Sequence, residues 1–334
     1  MEVPIIALVA GFITIYLSAD HFTENSARIA STYKISPLII GIVILGFGTS
    51  APEMLVSGMA AFEKHPGLSV GNAVGSNIFN IALVLGITAI ITPIKVDLKI
   101  IKNEWLVLLG FTLITGTLLL INKDLSFYDG IILLTMLIGF LGYTFYESKK
   151  VHHKFDTHSS NIENIPKLKI WRNLILSLTA LLVSAKFIVY GGTKLAAIFG
   201  VPDLIIGLTI VALGTSVPEL AVSITSAIKR QHEMVVGNII GSNIFNTVAV
   251  LAIPALISTS DISLIKTSDI DVLGIWPTLN SFYRDFGFML ILTAAIGVFV
   301  ALDTSKENVR EDQISRFEGI VFFLILCLYL IIVL

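Results

Sequence analysis

Two glutamates in this chain stand where a charge is hard to keep. Glu53 and Glu219 each follow a proline inside an otherwise apolar run, in the segments Gly48-Thr49-Ser50-Ala51-Pro52-Glu53 and Gly214-Thr215-Ser216-Val217-Pro218-Glu219. An ionised carboxylate in such a run is costly unless a cation, water or a proton meets it. No Lys or Arg lies within a helical turn of either glutamate, so a local ion pair is excluded and a mobile cation is the natural partner. Pro52 and Pro218 lack an N–H and collide with the carbonyl four residues back, at Gly48 and Gly214. Each helix is therefore expected to break there and release backbone carbonyls. Such carbonyls are tolerated at membrane depth only where they face protein or a water-lined cavity. Gly46, Gly48, Ala212 and Gly214 keep them sterically accessible, while Thr49, Ser50, Thr215 and Ser216 add hydroxyl oxygens. Asn80 and Asn246 add amide oxygens. An all-oxygen set of this kind suits a hard cation, since calcium takes about six to eight oxygens with carboxylates among them.

The elements that carry these residues are apolar throughout. Of 334 residues 55% are hydrophobic and 14% charged, with a mean hydropathy of +0.88. A soluble domain carries about 25% charged residues, so lipid is the solvent here. Ten runs have the length needed to cross a hydrocarbon core: 4–20, 36–62, 69–92, 104–122, 128–147, 172–197, 203–228, 234–258, 286–303 and 316–334. The first is too long and too poorly flanked by basic residues for a signal peptide, and it is expected to stay. With the N-terminus outside, sixteen of the twenty-two Lys and Arg residues fall in inner loops. The positive-inside rule thus places both termini outside, in a multi-pass protein of the cell membrane. The net charge of −2 says nothing about partners, and Cys327, alone in the last run, makes no intramolecular disulfide.

The glutamate segments are part of a longer repeat. The offset of 166 that relates them also maps Gly75-Ser76-Asn77-Ile78-Phe79-Asn80 onto Gly241-Ser242-Asn243-Ile244-Phe245-Asn246, and Ser18-Ala19 onto Ser184-Ala185. Near the ends of the halves, Leu125–Gly130 resembles Ile314–Gly319 at an offset of 189, which places about 23 extra residues around 260–284, with Trp276 and Pro277, in an outer surface loop. Five spans per half is an odd number, so the second copy enters the membrane from the opposite side. The expected fold is an all-α membrane protein of ten transmembrane helices arranged as two inverted five-helix repeats. The first covers 1–147 with its motif at 40–90, the second 171–334 with its motif at 206–256, and 148–170 is a cytoplasmic linker whose His152, His153 and His158 are solvated. Inverted repeats are the architecture of secondary transporters, with the site near the midplane where the halves meet. Ser76 and Ser242 join the candidate ligands; Asn77 and Asn243 serve equally well as helix-to-helix hydrogen bonders. Asp20 and Asp203, near span ends, read as interfacial carboxylates.

The paired GTSxPE and GNxxGSNIFN segments resemble the sodium/calcium exchanger family, whose two α-repeats they match, and the likeness extends over all ten spans. The resemblance implies that Glu53 and Glu219 hold calcium with the backbone oxygens of Thr49 and Thr215. It implies overlapping sodium sites at Ser50, Ser216, Ser76, Ser242, Asn80, Asn246 and the carbonyls of Gly46 and Ala212. It also implies that the first and sixth spans move over the other eight. One departure stands out: well-studied members carry an aspartate where this chain has Asn246, and potassium-dependent relatives carry one in both halves. Two formal charges remain, enough for one Ca²⁺ or two Na⁺, and potassium dependence is not expected. The short linker leaves no counterpart of the large calcium-sensing domains of animal exchangers.

The expected function is therefore an antiport of Ca²⁺ against Na⁺ by alternating access, with calcium, sodium and the lipid bilayer as partners, no cofactor, no nucleic acid and no required protein partner. The alternative is Ca²⁺/H⁺ antiport, in which the same glutamates take up protons. Thr, Ser and Asn ligands favour sodium, because a proton does not need them. A channel fits less well with an inverted repeat. No enzyme is expected: an intramembrane metalloprotease would need His ligands in the spans, and none of the six His residues lies beside either motif, while an intramembrane Ser or Asp protease lacks its partners likewise.

Overall fold

The computed structural model describes residues 2–63, 66–95, 98–122, 124–150, 166–200, 212–257, 262–263, 281–303 and 313–333. Most of the expected linker, the second-half insertion with Trp276 and Pro277, and Asp203 lie outside the described residues. Within them the chain is helical: α1 (Glu2–Tyr33), α2 (Pro37–Thr49), α3 (Ala51–Phe62), α4 (66–91), α5 (Leu98–Asn122), α6 (Phe127–Lys150), α7 (Lys167–Ile198), α8 (Ala212–Thr215), α9 (Val217–Ile228), α10 (His232–Ile257), α11 (Ser281–Asp303) and α12 (Arg316–Val333). Among the described residues six helices are long and apolar enough to cross a membrane, or seven when α2 and α3 are taken as one broken span.

Local chemistry explains where these helices start. Ser36 caps α2 by accepting a hydrogen bond from the Leu38 N–H at 3.2 Å, with Pro37 at the first helical position. The weak likeness between 125–130 and 314–319 proves to be a capping box. Asp129 Oδ2 accepts from the Ser126 N–H at 2.9 Å and Ser126 Oγ from the Asp129 N–H at 3.2 Å; Ser315 and Glu318 repeat the arrangement at the head of α12. The apolar run at 4–20 misjudges its helix, because α1 continues thirteen residues further to Tyr33. Its second half is polar but contains no proline or glycine to stop it, and hydropathy registers only the first.

The chain forms two compact units that each draw on both halves of the sequence: residues 1–49 with 140–241, and 50–139 with 242–334. In the first, α1 packs along α7. The backbone of Pro4 meets Gly191, that of Gly11 meets Ser184 and Ile188, and the Tyr33 and Trp171 rings touch, so the pair runs antiparallel. Phe22, Leu45, Leu181, Val222 and Met234 fill its core. Lipid is as apolar as these side chains, so close van der Waals packing of small residues, rather than water exclusion, holds such helices together. The nearest approach is between α2 and α10: a Cβ on Gly237 would lie 2.9 Å from the Gly41 Cα, against backbone that cannot swing away.

In the second unit α12 crosses α4 at a comparable contact, Gly319 against the Gly86 carbonyl. Two short antiparallel strand pairs sit at helix ends, Ile94–Lys95 with Gln313–Ile314 and Asp124–Leu125 with Ile262–Ser263. Among the described residues three wide π-helical turns interrupt the α-helices, at Gly41–Gly46, Asn80–Leu85 and Asn246–Val250. The last two begin at the asparagines singled out above.

The Gly41–Gly237 contact makes one outcome specific. Gly237→Val overpacks it and should lower the melting temperature in detergent by several degrees or abolish folded protein. Gly287→Ala, where a Cβ meets nothing within 4 Å, should leave it unchanged or higher. Fluorescence-detected size exclusion after a heating series measures both.

Candidate cation site

The proline-induced breaks occur where the sequence places them. α2 ends at Thr49, Ser50 leaves helical geometry at φ −80° and ψ 1°, and α3 restarts at Ala51 with Pro52 in its first turn. The second copy repeats this, with Ser216 at φ −89° and ψ 0° and α9 restarting at Val217. Glu53 and Glu219 therefore each stand in the first turn of a new helix, where unsatisfied N–H groups favour negative charge. Both are fully buried.

The expected ligands divide between the two compact units. Gly46, Thr49, Ala212, Thr215, Ser216 and Glu219 belong to the first; Ser50, Glu53, Ser76, Asn80, Ser242 and Asn246 belong to the second. Thr49, Ser50, Ser76, Asn80, Ser216, Ser242 and Asn246 are buried with their glutamates, Gly46 closes the first π turn, Ala212 opens α8, and Thr215 is half-buried.

Within the second unit, neither carboxylate oxygen of Glu53 has a hydrogen-bond partner among the described residues, and the same holds for Ser50 Oγ and for both amide atoms of Asn80 and of Asn246. Buried polar atoms are almost always paired, because each one left bare costs about 1–3 kcal/mol. Here the bare ones concentrate on the residues expected to hold an ion. The π turns that begin at Asn80 and Asn246 fit this, since such turns displace the backbone hydrogen-bond register and recur at functional sites. The first unit leaves Ser216 Oγ in the same condition.

A second layer escaped the sequence reading. Asn72 Nδ2 donates to the Glu53 backbone carbonyl and to Ser57 Oγ, both at 3.2 Å. In the other unit Asn238 Nδ2 donates to the Glu219 carbonyl at 3.4 Å and to Ser223 Oγ at 3.0 Å. Both asparagines and both serines are related by the offset of 166. Asn238 also accepts the Thr49 hydroxyl at 3.2 Å, so one amide ties a candidate ligand on α2 to the turn that carries Glu219. Ser57 and Ser69 strengthen the first brace by exchanging hydroxyl-to-carbonyl bonds at 3.4 and 2.7 Å. The signal was present in the duplicated Gly71-Asn72 and Gly237-Asn238 pairs that open the second motif.

Of the two asparagines read both ways, Asn77 spends its amide nitrogen on packing. Asn77 Nδ2 donates to Thr247 Oγ1 at 2.9 Å and lies 3.2 Å from Met289 Sδ, bonding α4 to α10 and α11. Asp20 pairs with Lys229 at 2.8 Å, as suits a carboxylate at a span end.

The chain is similar to known proteins. The family model described as sodium/calcium exchanger protein matches residues 3–146 and 170–334. A putative antiporter, CaxA of Alkalimonas amylolytica, is 39% identical over 77% of this chain and 82% of its own length. The sodium/calcium exchanger MaX1 of Methanosarcina acetivorans is 27% identical over 81% of this chain and 88% of its own. A solved structure of the sodium-calcium exchanger NCX_Mj, soaked with Na⁺ and Sr²⁺, superposes with a TM-score of 0.78 at 32% identity, covering 98% of both chains. With apolar spans, duplicated glutamate breaks and a family match over nearly its whole length, the chain is a multi-pass integral membrane protein of the sodium/calcium exchanger family.

Proposed function

We propose that this protein exchanges Ca²⁺ for Na⁺ by alternating access, with Glu53 and Glu219 as the carboxylates that carry the ion. The observation that carries the reading is the Glu53 side chain, fully buried with neither oxygen bonded. A carboxylate placed so is stable when a cation supplies the missing charge. The candidate ligands are those the resemblance implies: the backbone oxygens of Thr49 and Thr215 with the glutamates for calcium, and Ser50, Ser216, Ser76, Ser242, Asn80, Asn246 and the carbonyls of Gly46 and Ala212 for sodium at overlapping sites. Alternation follows from charge: two carboxylates neutralised by one Ca²⁺ or two Na⁺ cross the membrane's low dielectric, while the empty pair does not.

The chain is arranged as ten transmembrane helices in two inverted repeats, 1–147 and 171–334, joined by the cytoplasmic linker 148–170, with both termini outside the cell membrane. The antiparallel pairing of α1 with α7, equivalent spans at the offset of 166, supports the inversion. The same carboxylates would serve Ca²⁺/H⁺ exchange, and a single experiment separates the two. In proteoliposomes loaded with sodium, an outward Na⁺ gradient should drive calcium uptake and an outward H⁺ gradient should not. Glu53→Gln and Glu219→Gln should each fall to the protein-free background. Uptake driven by protons alone would assign the proton-coupled mechanism, and uptake without either gradient would mean a channel.

The amide braces make a milder outcome. Asn72→Ala and Asn238→Ala remove bonds to the glutamate turns without touching the carboxylates, and each lost bond is worth about 1 kcal/mol. The calcium concentration for half-maximal uptake should rise about five- to tenfold while sodium coupling persists, measured in the same vesicles.

A further inference from the structure

α1 carries a polar stripe that the transport site does not use. Its apolar stretch ends near Leu17, and beyond it Ser18, His21, Glu24, Asn25 and Arg28 follow at helical spacing toward one side. Opposite them lies Asn173 of α7, and between the two helices is an open cavity of about 630 Å³. A polar groove on a membrane helix needs a polar occupant.

Its depth is marked. Trp171 Nε1 donates to the Tyr33 hydroxyl at 3.0 Å, the rings meet edge to face, and Lys167 Nζ stands 5.3 Å from the Tyr33 ring centre. Trp, Tyr and Lys together are the residues that settle at the membrane–water interface. Arg28 is five residues inward from Tyr33, about 7.5 Å along the helix axis, so the groove opens at the level of the lipid headgroups.

Its charges balance. Arg28 donates one of its five N–H groups to Glu24 at 2.6 Å. Lys229 holds Asp20 at 2.8 Å and lies 3.9 Å from Glu24. Of these four, Glu24 and Arg28 line the groove itself, one acid and one base, an arrangement that matches a zwitterion better than a bare anion. Asn25 supplies the finer signal: its amide nitrogen donates to the His21 carbonyl at 2.7 Å, but its Oδ1, on a side chain only 2% exposed, accepts no bond among the described residues. An orphaned acceptor beside a carboxylate asks for N–H donors.

The geometry points to a binding site for a phospholipid headgroup with a primary ammonium, phosphoethanolamine in class. Arg28 takes the phosphate, and Glu24 and Asn25 Oδ1 take the ammonium. A quaternary ammonium has no N–H to offer Asn25, so the site discriminates between two zwitterionic lipids of the same net charge. The transport carboxylates are not involved, and the site stands whichever ion couples transport.

Native mass spectrometry tests this on the full chain, released from micelles holding equal amounts of phosphatidylethanolamine, its N,N-dimethyl form, phosphatidylcholine and phosphatidylglycerol with identical acyl chains. Phosphatidylethanolamine should be retained about tenfold over phosphatidylcholine, with the dimethyl form between, as expected for a charge-assisted hydrogen bond gained or lost. Asn25→Leu and Glu24→Gln should bring the ratio close to one. Equal retention of the ethanolamine and choline lipids by the unaltered protein, or stronger retention of phosphatidylglycerol, overturns the proposal, and that arm requires no substitution that could disturb folding.

Discussion

A carboxylate buried in an apolar span, with no basic side chain near it in sequence, is the constraint around which the rest of this structure is organised. Glu53 reaches that position because Pro52 forces the helix to restart at Ala51. The restart puts the glutamate among N–H groups that lower the electrostatic penalty without neutralising the charge. Burial without a full partner is expensive for the empty protein, and the same expense makes the site selective for whatever supplies positive charge. The oxygens that stay bare on Ser50, Asn80 and Asn246 are acceptors of the hard kind that calcium and sodium take.

Holding such a site requires side chains that spend their hydrogen bonds elsewhere. Asn72 and Asn238 do this by occupying glutamate backbone carbonyls and helix serines, which fixes the turns without using the Glu53 carboxylate. Asn238 does more than brace its own turn, because it also accepts a threonine hydroxyl from the other motif. The end of α2 is thereby tied to the Glu219 turn, in a part of the chain where Gly41 and Gly237 allow the backbones of α2 and α10 to touch. Close backbone contact through glycine permits sliding more readily than interlocked side chains do, a useful property in a transporter helix pair.

Much of this was legible in the residues. Proline before glutamate, twice at one offset, located the helix breaks to within two residues, and Thr49, Ser50 and Ser216 proved to be buried there. Asn72 and Asn238 were missed because an amide in an apolar helix reads as packing until its acceptors are known, although their shared offset set them apart. The length of α1 was underestimated for a different reason: hydropathy reports where lipid is, while helix geometry continues through Asp20, His21 and Glu24 into the polar region. The likeness of 125–130 to 314–319 was visible as a pattern, but its cause, reciprocal capping of two helices, needed coordinates.

The most direct measurement of the central claim is equilibrium binding of radioactive calcium to the purified protein in detergent, with sodium added as competitor. The account predicts saturation at about one calcium per chain, displacement by sodium, and loss of binding in Glu53→Gln while the melting temperature without calcium stays the same or rises, since an uncompensated buried charge has been removed. Calcium binding that survives Glu53→Gln, or that sodium leaves untouched, would contradict it.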